Sequence, residues 1–312
     1  MTTTERSAQS VGVASAVGAY LLWGLLALYF LLLEPTGAWE LVAWRVALSF
    51  VFCLILLTVT RGWARVIAIL RQPRLAALTA LAGALIYVNW QVFVLATLGG
   101  NIVETSLGYF INPIATMLLG FFVLHERIRR MQWVAIGITV VAIGVIVFAY
   151  GKFPWIALLL TASFGLYGLV KKKIGPSVDA ISGLTLESLW LLPVAVVQLI
   201  AVGATTGITM GANGPVHALL LSFAGIATAV PLLLFAAGTR RIGLVAIGMI
   251  QFITPVMQFA EGVLLKHEEM PPARWIGFAV MWIAIAVFVA DLAVTARRER
   301  SRSALEATPD PL

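Results

Sequence analysis

Apolar residues in this chain fall into long unbroken runs, separated by short polar or Gly/Pro-containing breaks, without the alternation of strands or the narrow stripes of soluble helices. Ten runs are long enough to cross a hydrocarbon layer as helices: about 11–33, 40–60, 75–97, 101–124, 131–149, 153–170, 181–203, 216–237, 243–265 and 273–295. One of them is stated twice. A shift of 142 carries Phe110, Ile111, Pro113, Gly120, His125, Glu126 and Trp133 onto Phe252, Ile253, Pro255, Gly262, His267, Glu268 and Trp275, seven identities within the 24 positions from Phe110 to Trp133. A period this long means two large halves. The expected fold is an all-α integral membrane protein, its ten transmembrane helices forming two five-helix repeats, 11–149 and 153–295, between polar tails 1–10 and 296–312.

Composition strengthens this picture. Hydrophobic residues make up 61% of the 312 and charged residues 11%, with a mean hydropathy of +0.99. Soluble domains carry roughly 45–50% and about 25%, so lipid is the solvent for most of this chain. A net charge of +7 in a soluble protein would point to nucleic acid; here the cations sit in short connections and membrane topology accounts for them. With the N-terminus inside, seventeen of the 21 Lys and Arg residues fall on inner segments. Only Lys152, Lys266 and Arg274 fall outside, and Arg45 lies within a span. Both tails are therefore expected in the cytoplasm, with the protein in the inner membrane. Because five is odd, the second repeat inserts upside down relative to the first. Inverted repeats are a transporter architecture, with the solute near midplane between the halves. The first apolar run, from Val11 to Leu33, is too long for a signal core, and the lone Cys53 reads as a packing residue.

The stretches INPIATMLLGFFVLHE (111–126), ITPVMQFAEGVLLKHE (253–268), SFGLYGLVKK (163–172) and the Glu40-Leu41 pair with Arg45 carry a resemblance. Over about residues 11–295 the chain resembles the EamA-type permeases of the drug/metabolite transporter superfamily, and within them the RarD subgroup. That resemblance implies a ten-helix carrier for a small organic solute, drug or metabolite. It says little about which one.

Candidate transport residues lie on polar stripes. Thr105, Tyr109, Asn112 and Thr116 share one helical face, as do Gln251, Thr254, Gln258 and Glu261, and the repeat pairs Tyr109 with Gln251, Asn112 with Thr254 and Thr116 with Gln258. Two such stripes, each passing its proline, suit an aqueous cavity; interhelical hydrogen bonding is the competing reading. Tyr87, Trp90 and Gln91 add a polar cluster in the third span, Tyr87 sharing a face with Trp90 or Gln91 while Asn89 looks elsewhere. Small residues of the eighth span with Pro231 supply the matching wall.

Four ionisable groups lie in or near the spans: Arg45, Glu104, Glu187 and Glu261. Intramembrane charge is expensive and marks function by default. Arg45 and Glu187 are related by the repeat but belong to opposite leaflets, so Glu104 or Glu261 is the expected partner of Arg45, with snorkelling to the interface as the alternative. Proton coupling would use Glu187 or Glu261; structural pairing explains both equally well. In the His-Glu turns, Glu126 and Glu268 are expected to bond backbone donors at the start of the following helix, against a relay or metal role for His125 or His267. No cofactor or metal site is expected, and no Walker pattern points to ATP. The function read from the residues is a secondary carrier; a passive channel, or a membrane-embedded enzyme, is the alternative.

Overall fold

The structure is a computed structural model that describes residues 3–99, 102–150, 153, 155–264, 272, 275–277, 279, 280, 282–287, 290 and 291. Among these, side chains at 3–6, 27, 31, 97, 102–104, 106, 107, 146–150, 259 and 261–264 are not described. Glu104 and Glu261 therefore lie outside the described side chains, and His267 and Glu268 outside the described residues altogether. The described residues hold α-helix and no strand, as expected where each backbone N–H in hydrocarbon must bond within its own segment.

The helices are α1 (Thr3–Leu31), α2 (Ala38–Val59), α3 (Trp63–Leu70), α4 (Pro73–Leu98), α5 (Ile102–Leu124), α6 (Arg130–Tyr150), α7 (Trp155–Ile174), α8 (Ala180–Thr205), α9 (Gly214–Arg241), α10 (Leu244–Gln251) and α11 (Ile253–Leu264). Six of the described segments are long and apolar enough to cross a membrane. Four shorter apolar segments accompany them: Gly108–Leu124, Arg130–Val145, Leu244–Gln258 and Trp275–Val287.

Two features depart from the hydropathy pattern. Residues 61–74 read as a plain connection, yet they contain α3, whose Val66 and Ile69 are buried while its Arg65 and the following Arg71 are exposed. Eight residues rise only about 12 Å, too short to span. The ninth run, 243–265, is broken at Phe252 into α10 and α11. Pro255 has no N–H for the carbonyl of Gln251, and the helix parts there. Its twin Pro113 sits within an unbroken α5.

Contacts divide the chain into two compact units, residues 1–126 with 154–268, and residues 127–153 with 269–312. Each draws on both sequence halves. In the larger unit small residues let helices approach closely. A Cβ on Gly248 of α10 would fall 2.7 Å from the Pro113 carbonyl oxygen and 2.6 Å from Met117 Cγ of α5. One on Gly225 of α9 would meet the Leu48 backbone of α2 at 2.5 Å. In the smaller unit Arg129 pairs with Asp291 at 3.2 Å, and Gln132 accepts a bond from the Arg129 N–H at the start of α6.

Candidate functional site

A cavity of about 670 Å³, including its open mouth, lies within the larger unit. It is lined from α1 by Tyr20, Trp23, Leu26 and Phe30, from α2 by Arg45, and from α4 by Asn89, Trp90 and Phe93. Tyr109 and Asn112 reach it from α5, Phe164 from α7, Gln251 from α10, and Thr254, Pro255 and Gln258 from α11. The two polar stripes thus meet in one space, and residues from both halves of the sequence face it.

Its floor is aromatic. Trp23 touches Tyr20, Phe164 and Phe235, with centroids 5.2, 5.5 and 5.5 Å apart, and Phe235 stacks on Tyr167 at 5.8 Å. Such edge and offset contacts fix ring positions, each adding roughly 0.5–1.5 kcal/mol beyond burial. Sequence reading had not singled out Tyr20, Trp23, Phe30 or Phe164. The register was there to see: Phe164, Tyr167 and Lys171 follow one another at spacings of three and four on one face of α7.

Arg45 is 3% exposed, which rules out snorkelling to the interface. Its Nε donates to Thr228 Oγ1 at 2.9 Å, and its guanidinium carbon lies 5.0 Å from the Phe30 ring centre and 4.6 Å from that of Trp90. No carboxylate pairs with it among the described residues. Glu187 is 1% exposed and is not paired with Arg45 among the described residues. It accepts from Lys171 Nζ at 2.5 Å and from Tyr167 Oη at 3.2 Å. Lys171 is itself 4% exposed and is the partner of Glu187.

The polar residues divide between lining and bracing. In the third span Asn89 and Trp90 face the cavity, so Asn89 does not look elsewhere; it also donates to Leu160 O at 3.0 Å and Ser163 Oγ at 3.1 Å. Gln91 instead accepts from Gln198 at 2.8 Å, and Tyr87 is half-buried beside the core without lining the cavity. Thr116 bonds Gln251 at 3.3 Å and does not line the cavity either. Thr254 both lines it and donates to Tyr20 O at 2.7 Å. The eighth span sends no wall residue; its Thr228 backs Arg45 instead.

The His-Glu turn does something different from what its position suggests. His125 takes a φ of 54°, the left-handed region that closes helices. Among the described residues its neighbour Glu126 caps α10, not the following helix: Leu244 N and Val245 N each donate to its carboxylate at 2.8 Å. A carboxylate on a helix N-terminus satisfies orphan N–H groups and meets the positive end of the dipole. Gly243 leaves room for it, since a Cβ there would fall 2.6 Å from Glu126 Oε2. Glu40 is a second brace, 2% exposed, accepting from Thr209 N at 2.8 Å, Met210 N at 3.2 Å and Trp44 Nε1 at 3.1 Å. His217 is buried against Thr36 Oγ1 at 3.0 Å. Among the described residues no three His, Cys, Asp or Glu side chains converge on a metal position.

An aromatic and amide-lined cavity within a bundle of apolar helices suits a solute passage. Residues 10–148 match the model of the EamA-like transporter family. Protein RarD of Streptomyces exfoliatus is 42% identical over 94% of this chain and 93% of its own length. The chain belongs to the EamA-like transporter family, with the RarD proteins. Protein RarD of Escherichia coli K12 is 39% identical across 92% of this EamA-like chain and 96% of its own, and an uncharacterized transporter of Bacillus subtilis 38% across 89% and 93%. A crystal structure at 17% identity shares the fold, with a TM-score of 0.64 over 90% of this chain and 96% of that one. This EamA-like protein is a multi-pass membrane protein and a transporter.

Proposed function

We propose that this protein is a secondary carrier that moves a small organic solute across the inner membrane by alternating access, its cavity being the solute site. The observation carrying the proposal is that Tyr109 and Asn112 of one half and Gln251, Thr254 and Gln258 of the other face a single space, as expected for a site between repeats. Ten spans in two inverted halves, 11–149 and 153–295, give that space its symmetry. Both termini then lie in the cytoplasm, where the basic connections belong.

Thr116, Gln91 and Tyr87 act around the site rather than in it, holding helices in register. Glu187, paired with Lys171, is a structural ion pair in this reading, which leaves Glu261 as the carboxylate to test for proton coupling. Saturable counterflow in proteoliposomes tests the carrier: preloaded unlabelled solute accelerates entry of the labelled form. Flux that rises linearly with concentration and shows no counterflow makes the protein a channel.

A further inference from the structure

We propose that the cavity selects organic anions, with Arg45 receiving a carboxylate and the aromatic floor receiving the solute's apolar body. This rests on the reading of the cavity as a solute site and adds its chemical class.

Burying a cation away from water is costly unless another group compensates it. Lys171 is compensated by Glu187. Arg45 has a hydroxyl from Thr228 and the rings of Phe30 and Trp90. The rings offset part of the charge but take up no N–H donor. Of the five donors of a guanidinium, only the one on Nε has a bond among the described groups. The remaining edge is the planar fork that matches a carboxylate in two parallel bonds.

Among the described residues the lining carries one cation, Arg45, and no Asp or Glu, so an anion meets attraction from them. Two lining residues, almost fully enclosed, each carry a buried polar atom without a partner: Asn112 Oδ1, in a residue 1% exposed, and Tyr20 Oη, in a residue 2% exposed. An unsatisfied buried polar atom is costly, and a ligand in the cavity that their residues line can supply the missing partner. The carbonyl of Asn112 calls for a donor on the solute, and the phenol of Tyr20 can give or take a bond. Trp23, Phe164 and Phe93 offer flat apolar surface. The fitting solute is a small aromatic or bulky apolar carboxylate bearing one further hydroxyl or N–H group.

The test uses purified full-length protein in detergent and in liposomes. The probes are arylalkyl carboxylates, led by 3-phenylpropionate, and the primary amides of the same skeletons. Thermal-shift titration of the unaltered protein should place the carboxylates at least about tenfold tighter than the amides, a difference of about 1.4 kcal/mol. Arg45→Met should reduce carboxylate affinity to the amide level and leave the amides unchanged; Arg45→Lys, which keeps charge and loses the fork, should fall between. Amides binding as well as carboxylates, a carboxylate preference surviving in Arg45→Met, or no carboxylate binding at all overturns the proposal. The comparison on the unaltered protein stands even if a variant fails to fold. Amides that bind and show counterflow would leave the carrier standing without its anion preference. Carboxylates that bind without counterflow would leave the anion site standing and remove the carrier.

Discussion

Arg45 and Lys171 are both almost fully buried, at 3% and 4% exposure, in helices long and apolar enough to span a membrane, yet their surroundings differ in kind. Lys171 closes onto Glu187, which Tyr167 also bonds, and nothing in that cluster faces the cavity. Arg45 lines the cavity and is held by a hydroxyl and two rings. A charge matched by its own chain serves the fold, whereas a charge matched only by neutral groups is kept for something that arrives. The aromatic floor joins the two regions, since Phe164 lines the cavity and its neighbour Tyr167 reaches Glu187.

The largest effect should come from the matched pair. Lys171→Ala or Glu187→Ala leaves a buried charge without its partner and should cost about 3–5 kcal/mol, read as loss of monodisperse protein and a large fall in Tm. The double change to Met and Leu should recover most of it, because an apolar pair of similar volume is often neutral. Arg45→Met should cost far less, about 1–2 kcal/mol for its hydroxyl bond and ring contacts, while lowering carboxylate affinity to that of the amides. A stability loss equal to that of Glu187→Ala would erase the distinction between the two cations.

Glu126 gives the contrast a third point, a charge matched by a helix end. Glu126→Ala should lower stability by about 1–2 kcal/mol through the uncapped N–H groups of Leu244 and Val245, with Glu126→Gln in between; unchanged melting of both would deny the cap. His125→Gly should be neutral or slightly stabilising, as glycine adopts positive φ without strain.

The smallest effect is at Asp179, whose side chain accepts from Ser182 N at 3.1 Å and lies 3.8 Å from Arg65 Nε. Burial alone would raise its pKa, but the Ser182 bonds and the charges of Arg65 and Arg240 outweigh it and hold the carboxyl below its ordinary 3.8. A depressed folded pKa gives stability that is present above the unfolded value and lost as pH falls through the folded one. The parent should therefore lose a little stability below about pH 4 that Asp179→Asn, still a good helix cap, does not lose. Melting curves from pH 3 to 7 measure it.

Long apolar runs made the helices legible: α2, α4, α5 and α8 begin and end within about three residues of their runs. A run length says nothing of a break inside it, so the parting at Phe252 escaped notice even with Pro255 in view. The polar stripes were legible because 3.6-residue periodicity places them on one face. Which members would line the space and which would brace it was not, since Thr116, Gln91 and Thr228 find partners 135, 107 and 183 residues away. The same holds for Glu126, whose donors lie 118 and 119 residues on. Local pattern located these residues; only packing assigned their partners.

The central claim is that one cavity is reached from both membrane faces in turn. In a background with Cys53 replaced by Ala, Asn112→Cys can be exposed to a membrane-impermeant maleimide from either side of oriented vesicles. The account predicts labelling from both sides, slowed on both when a transported solute is present. Labelling from one side alone under every solute condition would contradict it.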